Sequence, residues 1–95
     1  MSEQIATADP VVAKFREEIT ALDAQLVATV NKRLAAVEKL RRYKSERGIP
    51  FLDHAREEWM LLYLTRVNRG PLSERGLERL YRFVLELVKE ETADA

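Results

Sequence analysis

Between Pro10 and Gly48 the sequence contains neither glycine nor proline, the two residues that most often end a helix. Apolar residues recur there in steps of three and four, which is the period of an amphipathic α-helix. They are Phe15, Ile19, Leu22, Leu26, Val30, Leu34, Val37 and Leu40. A helix of about 35 residues is roughly 50 Å long at about 1.5 Å per residue. Since one short chain cannot bury such a helix against itself, we expect either a coiled-coil arm or a helix that two subunits share.

Capping residues divide the chain into three helices. The pair Asp9-Pro10 predicts the start of the long helix, because Asp caps helices and Pro favours their first position. The segment Gly48-Ile49-Pro50 ends it. Asp53 then predicts the start of a second helix that runs to about Asn68, and Ser73 predicts the start of a third. No alternating strand pattern competes, so we predict an all-α fold with one long, one short and one medium helix.

Apolar stripes run along both shorter helices, and the stripe of the third helix predicts its inner face. On the second helix the stripe runs through Ala55, Trp59, Leu62 and Arg66. On the third helix it is formed by Leu77, Leu80, Val84 and Val88. We expect the neighbouring large side chains to lie in a core or an interface as well, namely Met60, Tyr63, Tyr81 and Phe83.

The length of 95 residues allows one domain, which we predict to span residues 9–92, with a flexible N-terminal tail at 1–8 and a C-terminal tail at 93–95. The sequence has no cysteine, and His54 is its one histidine. A thiolate site, a histidine triad and a histidine-rich metal site therefore lack their parts, and we expect no metal and a surface position for His54. A polar N-terminus and the lack of a long apolar run predict a cytoplasmic protein without a membrane partner.

The positive charge is concentrated in the middle of the chain. From Lys32 to Arg56 there are eight Lys or Arg and three Asp or Glu, although the formal net charge of the whole sequence is zero. Such a basic segment predicts an anionic partner. Nucleic acid is not expected, because the interleaved aromatic residues of a stacking surface are missing and the whole chain is neutral.

Two cations of this segment lie on one side of the long helix. Arg33 and Lys44 are eleven residues apart, so they differ by about 20° around the helix axis and by about 16 Å along it. Long basic side chains in this arrangement can lean toward a common anion. Arg56 would add a third cation, and Asp53 and Glu57 beside it would accept hydrogen bonds.

Arg16 lies on the same helix, 17 residues before Arg33, or roughly 25 Å away. No small ligand spans that distance, so Arg16 can join the same site only from a second copy of the chain. An antiparallel two-fold dimer would bring it there and would also cover the long helix. The other basic residues of the region are expected to be solvated, namely Lys32, Lys39, Arg41, Arg42 and Arg47.

Several segments occur in a fixed order along the chain: Phe15-Arg16-Glu17-Glu18-Ile19, Leu22-Asp23, Arg33, Tyr43-Lys44, Pro50-Phe51-Leu52-Asp53 and Arg56-Glu57. With them the sequence resembles the all-helical (AroQ) class of chorismate mutases from about Phe15 to Val88. The intervals between the polar members of these segments fit the family pattern without a gap. The resemblance implies three helices per chain and an intertwined homodimer with shared active sites.

The resemblance also implies an activity, the pericyclic rearrangement of chorismate to prephenate for phenylalanine and tyrosine biosynthesis. No cofactor, metal or covalent intermediate is implied. Arg16 of the neighbouring subunit and Arg33 would clamp the substrate carboxylates, and Lys44 would donate to a carboxylate and to the ether oxygen. The remaining implied contacts are those of Asp53 and Glu57 with the ring hydroxyl, and of Arg56 with the same wall of the site.

The last helix departs from the family pattern. The family has a Ser and, four residues later, a Gln or Glu whose side chain is a second donor to the ether oxygen. Alignment of the apolar stripe places Val88 and Thr92 at these two substrate-binding positions, and Glu91 is adjacent to the second. Some short family members are weak alone and gain activity by docking on an enzyme of the same pathway. We therefore consider docking to another shikimate-pathway enzyme for this chain.

Other functions remain open at this point. A mutase for 4-amino-4-deoxychorismate and an isochorismate pyruvate lyase use the same scaffold, and Asp53 and Glu57 would accept a hydrogen bond from either a hydroxyl or an amino group. A non-catalytic helical dimer or regulatory domain is the alternative from another class. The unusual last helix is its main support.

Overall fold

The computed structural model describes residues 9–92, and this part of the chain contains three α-helices. Helix α1 spans Pro10–Glu46, α2 spans His54–Val67 and α3 spans Glu74–Thr92. None of residues 9–92 lies in a strand. The predicted all-α fold with a long, a short and a medium helix is therefore confirmed. The two predicted tails, 1–8 and 93–95, lie outside the described residues.

Helix α1 begins as the capping pair predicts. One carboxylate oxygen of Asp9 accepts hydrogen bonds from the backbone N–H groups of Val11, at 2.8 Å, and Val12, at 3.3 Å. Pro10 is the first helical residue, where its missing N–H leaves no helical hydrogen bond unmade. The helix then continues for 37 residues without interruption.

Glycine ends this helix in a Schellman motif. Gly48 has a φ of 68°, a left-handed conformation that favours glycine. The N–H of Ile49 donates to the carbonyl oxygen of Lys44 at 2.8 Å, and the N–H of Gly48 donates to that of Ser45 at 3.3 Å. Pro50 follows and prevents the helix from resuming. The chain is thereby turned back toward the last turn of α1.

The two shorter helices also begin at their predicted caps. The Asp53 side chain accepts from the N–H of Arg56 at 3.0 Å, and the Ser73 hydroxyl accepts from the N–H of Gly76 at 3.0 Å. Between them Asn68 organises the turn, since its side-chain oxygen accepts from the N–H of Gly70 at 3.0 Å. Helices α2 and α3 are in contact.

The chain divides into two compact units, one ending at Arg33 and one beginning at Leu34. The described part of the first unit consists of the cap residue Asp9 and the first part of α1. This part of the helix exposes an apolar stripe. The stripe consists of Phe15, Ile19, Leu22 and Leu26, whose exposed fractions lie between 56% and 61%. Among residues 34–92 of the second unit, the buried residues all lie on α3, and they are Leu77, Tyr81, Val88 and Thr92. Helix α1 has no buried residue from its first turn to its last.

Within the single chain, the apolar stripe predicted for α2 is exposed. Trp59 and Leu62 are exposed, whereas Met60, Leu61 and Leu64 are half-buried. Residues 59–64 are all apolar, so periodicity alone does not select one face of α2.

On α3 the predicted stripe holds in part. Leu77 and Val88 are buried as predicted, but Leu80 is exposed and Val84 is half-buried. Tyr81 is buried, whereas Phe83 is exposed. None of the described helices has the length and apolar character to cross a membrane.

Candidate functional site

Two cations at the end of α1 share the ring of Phe51. The ammonium nitrogen of Lys44 donates to the Phe51 carbonyl oxygen at 3.4 Å and lies 5.8 Å from the ring centroid. The guanidinium carbon of Arg41 lies 4.4 Å from the same centroid. Both side chains are half-buried. The Schellman turn explains the arrangement, because it folds residues 47–53 back along the last turn of the helix.

Arg41 is therefore not the solvated charge that its sequence context suggests. The other four basic residues expected to be solvated are exposed, namely Lys32, Lys39, Arg42 and Arg47. The signal that identifies Arg41 is its spacing, since it precedes Lys44 by three residues and so lies on the same side of α1. Phe51 belongs to one of the family segments, but its sequence context predicts no role for it.

A second group of polar residues lies at the start of α2. Asp53 caps the helix, as predicted. The guanidinium carbon of Arg56 lies 5.1 Å from the ring centroid of Trp59, which stacks on Tyr63. The contacts of Asp53 and Arg56 with a ligand stay predictions.

The third predicted member of this group, Glu57, is half-buried. One of its carboxylate oxygens is 3.5 Å from Nδ1 of His54. The His54 side chain is 78% exposed, in agreement with a surface position. Together, the start of α2 presents two carboxylates and one guanidinium, which is the combination that a ligand with both a hydroxyl and a carboxylate would need.

At the end of α3, Val88 and Thr92 are packed inside the second unit. The exposed fraction of Thr92 is 0%. Its hydroxyl donates to the carbonyl oxygen of Val88 at 2.7 Å and accepts from Nη1 of Arg41 at 3.5 Å. Because a hydroxyl has one proton to donate, Thr92 has none left for a ligand in this arrangement. Contact of either side chain with a substrate stays a prediction.

The two arginines of the first unit differ in their surroundings. Arg16 is exposed, whereas Arg33 is half-buried. Nη1 of Arg33 is buried and has no hydrogen-bond partner among the described residues. A buried guanidinium nitrogen without an acceptor costs free energy. Arg33 is therefore a position where an anion would be stabilised.

Among residues 9–92, no three His, Asp or Glu side chains come together as the ligands of a metal ion would. The candidate site is built instead from arginine, lysine and carboxylate side chains. Such a set can bind and orient an anionic substrate and can stabilise negative charge as it develops.

Comparison with known proteins identifies a family. The model of the type II chorismate mutases matches residues 15–92. The bifunctional chorismate mutase/prephenate dehydratase of Pseudomonas aeruginosa is 26% identical over 76 residues, which are 75% of this chain. The chain spans only about a fifth of that relative, 21% of its length.

Two solved structures of the chorismate mutase of Thermus thermophilus have the same fold. Form I aligns with a TM-score of 0.79 at 27% identity and covers 81% of this chain and 96% of its own. Form II aligns with a TM-score of 0.83 at 25% identity and covers 87% of this chain and 94% of its own. The similarity therefore extends over nearly the whole of those structures.

Proposed function

Because this chain belongs to the type II chorismate mutase family, we propose that it catalyses the isomerisation of chorismate to prephenate. The observation that carries the proposal is the placement of Lys44. Lys44 is half-buried, and its ammonium nitrogen donates to the Phe51 carbonyl oxygen at 3.4 Å. Held in this way, Lys44 can donate its other N–H groups to a substrate.

The reaction requires the protein to position the substrate and to stabilise the charge that develops on it. In chorismate the C–O bond of the enolpyruvyl ether breaks while a C–C bond forms elsewhere in the same molecule. No atom, proton or electron enters or leaves, and negative charge develops on the ether oxygen. A protein accelerates such a step by holding the compact reactive conformer and by placing cations where the charge appears.

The proposed roles follow from the chemistry of each side chain. Arg33, with its buried and unpartnered nitrogen among the described residues, clamps one carboxylate of the substrate. Lys44 donates to a carboxylate and to the ether oxygen. Asp53 and Glu57 accept from the ring hydroxyl, and Arg56 lines the same wall. Arg33 and Lys44 are eleven residues apart in the sequence, which is close to three helical turns.

The second carboxylate clamp is Arg16 of the partner subunit in an antiparallel dimer. Two features support the dimer as part of the proposal. The apolar stripe of Phe15, Ile19, Leu22 and Leu26 is more than half exposed in the single chain, and water contact with so much apolar surface is unfavourable. No residue along all of α1 is buried. A second copy would cover the stripe and place Arg16 at the neighbouring site.

The test is an assay with purified protein and chorismate, in which the loss of ultraviolet absorbance is followed and prephenate is identified as the product. We expect turnover by the natural chain and a large loss of kcat in Lys44→Ala. Lys39→Ala is the matched control, because Lys39 is an exposed lysine on the same helix. Equal turnover by both variants, or none by the natural chain, would contradict the proposal. A parallel assay with 4-amino-4-deoxychorismate tests the sibling reaction.

A further inference from the structure

Arg41 is held in place by two groups that are remote in sequence. Its guanidinium carbon lies 4.4 Å from the centroid of the Phe51 ring, and its Nη1 lies 3.5 Å from the Thr92 hydroxyl oxygen. It is half-buried, although the adjacent Arg42 is exposed. A long, charged side chain that loses both water and conformational freedom in this way needs a compensating interaction.

Thr92 cannot supply a hydrogen bond to a ligand. Its hydroxyl proton is used on the Val88 carbonyl oxygen at 2.7 Å, and its side chain has no exposed surface. Yet Thr92 lies at the position where the sequence alignment places the second donor to the ether oxygen. The end of α3 therefore lacks that donor, and the group that reaches the position is the guanidinium of Arg41.

The Arg41 guanidinium has further N–H groups besides the one that contacts Thr92. It carries five N–H groups in a planar fork. The contact with Thr92 uses one of them, at the long distance of 3.5 Å. Arg41 and Lys44 both lie beside the ring of Phe51. The distance between their charged groups therefore cannot exceed the sum of their distances to the ring centroid, which are 4.4 Å and 5.8 Å.

We propose that Arg41 is a second catalytic cation, which donates a hydrogen bond to the ether oxygen of the substrate in place of the donor that the end of α3 lacks. This inference rests on the proposed chorismate mutase function. Lys44 and Arg41 would act together, and the negative charge that develops on the oxygen as the C–O bond breaks would be shared between an ammonium and a guanidinium. Arg41 keeps its proton throughout, so the step remains a balanced isomerisation.

The first experiment compares Arg41→Ala with Arg42→Ala in steady-state kinetics with chorismate. Loss of one preorganised donor to a developing oxyanion typically lowers kcat by about 100-fold or more. We expect a loss of that size in Arg41→Ala, with a smaller change in KM, and natural kcat in Arg42→Ala. Thermal unfolding of both variants shows whether Arg41→Ala remains folded. Natural kcat in a folded Arg41→Ala protein would overturn the inference while leaving the proposed function intact.

A binding experiment separates the ether oxygen from the carboxylates. Two rigid bicyclic dicarboxylates are compared by calorimetry, one with an oxygen bridge that mimics the ether and one with a methylene in its place. We expect Arg41→Ala to bind the oxygen-bridged compound roughly ten-fold more weakly or worse, and the methylene-bridged compound as the natural chain does.

An equal loss of affinity for both compounds would make Arg41 a carboxylate clamp and overturn its assignment to the ether oxygen. Unchanged affinity for both would make its contacts with Thr92 and Phe51 purely structural, which also overturns it. A natural chain that neither converts chorismate nor binds either compound would remove the proposed function, and this inference with it.

Discussion

At the scale of the single residue, Asp53 combines an observed role as a helix cap with a proposed role in substrate binding. Its carboxylate caps α2 by accepting from the N–H of Arg56 at 3.0 Å, and under the proposed function it also accepts from the ring hydroxyl of the substrate. Capping needs only an oxygen acceptor, which Asn provides as well as Asp. Contact with a hydroxyl proton is stronger for a charged acceptor than for a neutral amide. The two tasks can therefore be separated by substitution.

We expect Asp53→Asn to keep the stability of the natural chain and to raise KM for chorismate. Asp53→Ala should raise KM as well and should lower the free energy of unfolding by about 1 kcal/mol, the usual value of an N-cap. Urea denaturation and steady-state kinetics measure the two effects. If Asp53→Asn has natural KM and kcat, Asp53 is a cap and nothing more.

At the scale of the elements, the end of α1 depends on the backbone of Gly48. A Cβ built at this residue would have no atom within 4 Å, so a substitution meets no steric clash with its surroundings. The cost comes instead from the φ of 68°, which an L-residue with a side chain adopts at a penalty of roughly 1–2 kcal/mol.

We expect Gly48→Ala to lower the free energy of unfolding by about 1–2 kcal/mol for this reason. Gly48→Asn is the matched variant, because Asn tolerates the left-handed conformation better and should lose clearly less. Both are measured by urea denaturation monitored by circular dichroism. Equal losses in the two variants would mean that the left-handed backbone is not what determines the cost.

The helices and their ends could be predicted from the sequence because they depend on neighbours. The caps at Asp9, Asp53 and Ser73 act within three residues of each helix start, and the Gly48 motif acts within six. The features that could not be predicted from the sequence depend on contacts between residues that are far apart along the chain. The half-buried face of α2 is determined by its packing partners, since residues 59–64 are apolar on every side. The setting of Arg41 depends on Thr92, 51 residues later.

At the scale of the whole molecule, the proposed dimer divides each site between two chains. Arg33 would come from one chain, and Arg16 would come from the partner subunit. A chain with Arg16→Ala and a chain with Arg33→Ala would each form homodimers in which both sites are damaged. In a mixed dimer one site keeps both arginines and the other site lacks both.

We therefore expect each variant alone to be nearly inactive and a mixture of the two to regain part of the natural activity. Subunit exchange is verified by mass spectrometry of differently tagged chains, and two portions of the same variant serve as the control. Mixed dimers without regained activity would show that Arg16 does not reach the site of the other chain.

The exposure of α1 has a consequence for the life of the protein in a cell. Since no residue of this helix is buried within its own chain, a newly made chain under the dimer proposal must meet another before its longest element is fully sheltered. The total amount of protein would then rise with synthesis, whereas the amount of active dimer would rise only as chains associate. Dimers would form most slowly in a cell that makes few copies of the chain. The rate of product formation in that cell would depend more steeply on gene dosage than the protein level does.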